Sequence, residues 1–132
     1  MRRAVLDTNK LIEHWRKRRG GRLEEKTTAD AITWAKELIK LHDTDKIVTP
    51  VYVEMIGGVA GKTELQLTQA FLECFRCVDE KKILPQDWRE AIRLAQRVPR
   101  SKKPRQLGDC LIRAIANRLG YDVETSDTGF PH

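Results

Sequence analysis

Residues 4–9 read Ala4-Val5-Leu6-Asp7-Thr8-Asn9. Three apolar residues form a short strand of the kind that parallel sheets bury on both faces. An acid, a hydroxyl and an amide follow where that strand stops. A helix is expected from about Lys10 into a run of basic residues, with Gly20-Gly21 breaking it. A buried strand that ends on a carboxylate and turns at once into a helix is the start of an α/β unit.

The rest of the chain repeats that alternation. Ile32, Ala35, Leu38, Ile39 and His42 recur at helical spacing, and Thr27 or Thr28 is placed to cap that helix. Ile47-Val48-Thr49 reads as a second strand, and Pro50 opens the segment that carries Glu54. Leu67, Ala70, Phe71, Cys74 and Phe75 predict a helix over 62–76, with Cys77-Val78 as a strand. Trp88, Ala91, Ile92 and Ala95 mark the apolar face of a helix opened by Pro85 and stopped near Pro99. Leu111, Ile112, Ile115, Ala116 and Leu119 mark another, closed by Gly120, and Tyr121 to Thr125 is the last strand. The fold class is therefore α/β: a short, mainly parallel sheet of four or five strands flanked by helices, in a single domain over 1–132.

Composition excludes several classes. With 40% hydrophobic and 33% charged residues in 132, the chain is globular rather than disordered and long enough for one core. No apolar run is long enough to span a bilayer, and Ala4-Val5-Leu6 is too short for a secretory leader, so a cytoplasmic location without membrane contact is expected. Cys74-Phe75-Arg76-Cys77 has a CxxC spacing, but a zinc site needs about four ligands and there is no second pair. Its cysteines, with Cys110, read as reduced, buried apolar residues.

The net charge of +6 is concentrated in two clusters. One holds Arg16, Lys17, Arg18, Arg19 and Arg22; the other holds Arg97, Arg100, Lys102, Lys103 and Arg105. Either suits a polyanion such as RNA, the competing reading being a solvated linker.

Four acids stand apart from those clusters: Asp7, Glu54, Asp109 and Asp127. Singly, each has an ordinary explanation. Asp7 would cap a helix, Asp109 would favour a helix N-terminus, Asp127 would sit in a turn, and Glu54 would face solvent. Their surroundings argue otherwise. Glu54 lies within Val51-Tyr52-Val53-Glu54-Met55-Ile56, and Asp109 precedes Cys110-Leu111-Ile112. Asp7 and Asp127 follow strands, where α/β sheets bind ligands. Two carboxylates about 4 Å apart repel by ~1 kcal/mol in water and ~4 kcal/mol at an effective dielectric near 20. A hard cation relieves that repulsion, and Mg²⁺ or Mn²⁺ suits oxygen ligands and phosphate chemistry.

In order, these segments resemble the PIN domain, and specifically the VapC toxins of toxin–antitoxin pairs. The matching stretches are Ala4-Val5-Leu6-Asp7-Thr8-Asn9, Thr49-Pro50-Val51-Tyr52-Val53-Glu54 with Gly58, Gly108-Asp109-Cys110-Leu111-Ile112-Arg113-Ala114-Ile115-Ala116, and Thr125-Ser126-Asp127-Thr128-Gly129-Phe130. The resemblance implies a PIN-like three-layer fold with Asp7, Glu54, Asp109 and Asp127 as catalytic, metal-binding acids. Thr8, Asn9 and Thr125 would be supporting polar residues. It further implies a Mg²⁺- or Mn²⁺-dependent endoribonuclease that cleaves structured RNA, such as tRNA or rRNA, and leaves a 5′-phosphate. A homodimer and an inhibitory VapB-type antitoxin complete the expectation. Relatives usually continue into a further edge strand, whereas five residues follow Asp127 here.

Other readings compete with the toxin. One is a PIN nuclease of RNA processing outside any toxin–antitoxin pair; another is a non-catalytic basic module that only binds RNA. A receiver-type phosphate site would use Asp7 but would not need Asp109 and Asp127. Apolar surface on helices 28–42 and 62–76 is the expected dimer contact.

Overall fold

The computed structural model describes residues 1–98 and 106–132. Its elements run β1 (Ala4–Leu6), α1 (Thr8–Arg19), a 3-10 turn (Leu23–Glu25), α2 (Thr28–His42), β2 (Lys46–Ile47), α3 (Thr49–Gly57), α4 (Lys62–Leu72), β3 (Arg76–Cys77), α5 (Pro85–Ala95), α6 (Gln106–Leu119) and β4 (Asp122–Glu124). The strands pair in the order β3-β2-β1-β4, all parallel. Among the described residues the sheet thus has four strands flanked by six helices.

The order reverses at β1. From there the chain steps outward through β2 and β3, then returns to add β4 on the other side of β1. Ligands of such sheets bind beyond the C-terminal strand ends at that reversal. Val5 is in register with Val123 and Leu6 with Glu124, so Asp7 and Thr125 leave the sheet side by side.

Local chemistry explains the helix ends. Thr27 and Asp30 form a reciprocal capping box at the start of α2. Asp79, buried beyond β3, accepts hydrogen bonds from the Thr49 amide at 3.0 Å and the Thr49 hydroxyl at 2.8 Å, which anchors the start of α3. Gly120 ends α6 with φ +75°, in the left-handed region that glycine tolerates. Arg3 then donates to the freed carbonyls of Gly120 (3.0 Å) and Leu119 (2.8 Å).

The core joins β1, which is wholly buried, to the centre of α6, where every residue from Cys110 to Ala116 is buried. A helix apolar all round belongs inside a protein. Arg113 is the exception in that run; its Nε donates to the Pro131 carbonyl at 2.7 Å, tying the chain's last residues onto α6.

Four expectations need correction. The helix expected over 62–76 stops at Leu72, because Glu73–Phe75 turn the chain into β3. On α5 the buried side is Asp87, Ala91 and Leu94, whereas Trp88 and Ile92 are exposed. Arg118 of α6 draws Asp87 inward with bonds of 2.7 and 3.0 Å, and so selects that face. The stripes of α2 and α4 pack against each other, so they are not a free dimer surface. Of the cysteines, Cys110 is buried while Cys74 and Cys77 are half-buried; all three are free thiols, and burial pushes each one up from its ordinary pKa.

Candidate active site

Asp7 stands at the end of β1 and is 2% exposed. Its Oδ1 accepts the Lys10 amide at 2.9 Å, which caps α1, so the ordinary explanation of this residue holds as far as it goes. Its Oδ2 takes a second bond, from the Thr125 hydroxyl at the end of β4. A cap needs only the first. Burial pushes the Asp7 carboxyl up, against the bonds from Thr125 and Lys10 that pull it down.

Glu54 reaches the same place from α3. The neighbouring Thr8, in the first turn of α1, donates its hydroxyl to Glu54 Oε1 at 2.9 Å. Although much of the Glu54 residue is exposed, its carboxylate is confined: a Cβ added to Gly108 of α6 would stand 2.9 Å from Oε1 and 3.2 Å from Oε2. Desolvation raises its pKa first, and the charge of Asp7 raises it further. Two carboxyls pushed up by burial, one also by the other's charge, form a donor set that a hard divalent cation fits.

The remaining expected residues lie around this pair. Asp109 is half-buried and follows Gly108, the residue packed against Glu54. The Asp127 amide donates to Thr125 Oγ1 at 3.0 Å, which sets the loop after β4 beside Asp7. Asp127 Oδ1 accepts the Gly129 amide at 2.8 Å, as a turn aspartate does. Asn9 is exposed and makes no side-chain hydrogen bond among the described residues. Four chain segments, those of Asp7–Thr8, Glu54, Gly108–Asp109 and Thr125–Asp127, therefore converge at the reversal of strand order. Among the described residues, no three acid, cysteine or histidine side chains already stand together as a ready cation cage.

The first basic cluster is divided by its partners. Arg18 pairs with Glu37 at 3.0 Å, Arg19 with Glu64 at 3.4 Å and Arg22 with Glu25 at 3.3 Å. Arg16 and Lys17 are exposed and have no acidic partner within 4.0 Å among the described residues. Arg100, Lys102, Lys103 and Arg105 lie outside the described residues.

Sequence reasoning missed two contributors. Asp79 lies two residues beyond the end of β3, and it anchors α3 and so places Glu54. Gly108 gives Glu54 the room a side chain would take; its place immediately before Asp109 was the only sequence signal. No helix of the described residues is long and apolar enough to cross a membrane. A family model described as PIN domain matches residues 4–132 of the chain. No curated protein and no solved structure matches it.

Proposed function

Since the chain belongs to the PIN domain family, a family of nucleases that generally use divalent metal ions, we propose that it is a VapC-type endoribonuclease acting at Asp7, Glu54, Asp109 and Asp127. The observation that carries the reading is the meeting of Asp7 and Glu54 at the strand-order reversal, where Glu54 accepts the hydroxyl of Thr8 beside Asp7 and Asp7 accepts that of Thr125 at the end of the neighbouring strand. Mg²⁺ or Mn²⁺ would be held by these acids. When bound, such an ion withdraws charge from the phosphoryl oxygens and lowers the pKa of a water.

The chain's own residues do the rest. Thr8 and Thr125 fix the two carboxylates in place, as the supporting groups of a site must. Glu54 Oε1 is occupied by the Thr8 hydroxyl, which leaves Oε2 to take the proton of an attacking water. Attack of the water oxygen on phosphorus breaks the bond to O3′, and the products carry a 5′-phosphate and a 3′-hydroxyl. Arg16 and Lys17 are the exposed cations of the first cluster that remain for flanking phosphates. The cellular setting of this reading is a cytoplasmic homodimer that cuts a structured RNA, tRNA or rRNA, and is held inactive by a VapB-type antitoxin.

The test is cleavage of tRNA and rRNA fragments by the wild type and by Asp7→Asn, each with Mg²⁺, with Mn²⁺ and with a chelator. Cleavage is expected only for the wild type with metal, with 5′-phosphate ends. Equal cleavage by Asp7→Asn, or cleavage in chelator, refutes the assignment. A small gene immediately upstream encoding a DNA-binding N-terminus supports the toxin setting; its absence favours RNA processing.

A further inference from the structure

A cavity of about 140 Å³ opens between α1, α3 and α4, and Glu54 forms part of its wall. Trp15, Met55 and Val59 line it with apolar surface and Glu64 with a second carboxylate, whereas Arg19 and Thr68 contribute further polar groups. Those polar groups are unusual. Thr68 is 1% exposed, and its Oγ1 has no hydrogen-bond partner. Arg19 Nε is also buried without a partner, although Nη1 of the same guanidinium reaches Glu64. Buried polar groups are nearly always paired, so two orphans lining one cavity point to a ligand that pairs them.

Size and chemistry narrow the ligand. A cavity of roughly 150 Å³ holds one benzene ring, so this one takes a single six-membered ring. Arg19 Nε can only donate, whereas a threonine hydroxyl can donate or accept. The matching ring is flat, has apolar faces, and carries a carbonyl oxygen beside a ring nitrogen. Arg16 also lines the cavity and is an exposed cation, as a phosphate attached to such a ring would require.

We propose that the cavity is a subsite for one unstacked pyrimidine of the RNA, with Arg19 Nε and Thr68 Oγ1 bonding its edge and Glu54 separating it from the cleavage centre. The proposal rests on the nuclease reading above and adds to it a base preference next to the cut. Single-stranded RNA is commonly read in this way, by splayed bases whose edges are hydrogen-bonded. The single-ring size of the cavity and the exposed Arg16 cation at its wall, placed for an attached phosphate, favour a nucleotide base over a protein side chain.

The experiment measures kcat/KM on RNA oligonucleotides that differ only in the nucleotide flanking the cut: uridine, cytidine, adenosine or an abasic residue. The enzymes are the wild type, Thr68→Val and Thr68→Ser. The wild type is expected to cleave the pyrimidine substrates about tenfold faster than the abasic one, the worth of one or two hydrogen bonds. Thr68→Val should erase most of that preference while cleaving the abasic substrate as the wild type does, and Thr68→Ser should restore it. Equal wild-type cleavage of pyrimidine and abasic substrates overturns the subsite and leaves the nuclease reading standing. So does an unchanged preference in Thr68→Val, including the case in which that variant instead loses affinity for a protein partner. Absence of metal-dependent cleavage by the wild type overturns both.

Discussion

Thr125 donates its hydroxyl to Asp7, joining the residue that follows β4 to the residue that follows β1 across 118 positions of sequence. The bond exists because β1 and β4 are parallel neighbours in register, so both chains leave the sheet at the same height. It also holds the loop of Asp127, whose amide donates to the same Thr125 oxygen.

Crowding of Asp7 with Glu54 predicts how stability responds to pH. Burial raises both carboxyls, so the folded protein binds more protons than the unfolded chain between the ordinary carboxylate range and the raised values. Stability in chelator therefore falls as pH rises through that window. Glu54→Gln keeps an acceptor for Thr8 and removes one charge. Its melting temperature relative to wild type should rise from pH 4 to pH 7 in chelator, and Mg²⁺ should stabilise the wild type more than the variant. A difference that stays flat with pH would show that the pair is not strained by its charge.

Gly108→Ala tests the confinement of Glu54. The added methyl would lie 2.9 Å from Glu54 Oε1, and a glutamate side chain can move to avoid it. Gly108 lies within α6, where alanine is favoured over glycine by up to about 1 kcal/mol. The variant should melt at or above the wild-type temperature yet cleave RNA about a hundredfold more slowly, the cost of misplacing a catalytic group by about an ångström. Full activity in a stable variant would mean that the position of Glu54 does not matter to cleavage.

Arg118→Met addresses the clamp between α5 and α6. It would leave Asp87, 1% exposed, without its guanidinium. Stranding a buried charge costs about 3–5 kcal/mol. Urea denaturation should show a loss of that size, and combining the change with Asp87→Asn should cost much less than the two single losses added. Strict additivity would argue against a coupled pair.

Replacing Arg16 and Lys17 by glutamine tests the division of the basic cluster. These two lack acidic partners among the described residues, unlike Arg18, Arg19 and Arg22. If both contact phosphates of single-stranded RNA, the slope of log affinity against log salt should flatten by about 1.4. The same changes at Arg18 and Arg22 should flatten it less. An unchanged slope in the first variant would remove the cluster's outer residues from the RNA surface.

The sequence by itself determined the alternation of strands and helices, the ends of β1 and α2, the glycine stop of α6, and the placement of Asp7 at a strand end. Each of these is a local matter: an apolar run, a capping hydroxyl, a left-handed turn, a carboxylate at a strand end. Tertiary structure alone decided which face α5 buries, because the ion pair that selects it joins residues 31 positions apart. It likewise decided that Asp79 anchors α3 and that Gly108 is small because Glu54 needs the space. Thr68 and Arg19 look ordinary in the sequence; only the packing of α1, α3 and α4 buries their polar atoms without partners. Periodicity records which residues avoid water, but not which distant group each one meets after the chain has turned back on itself.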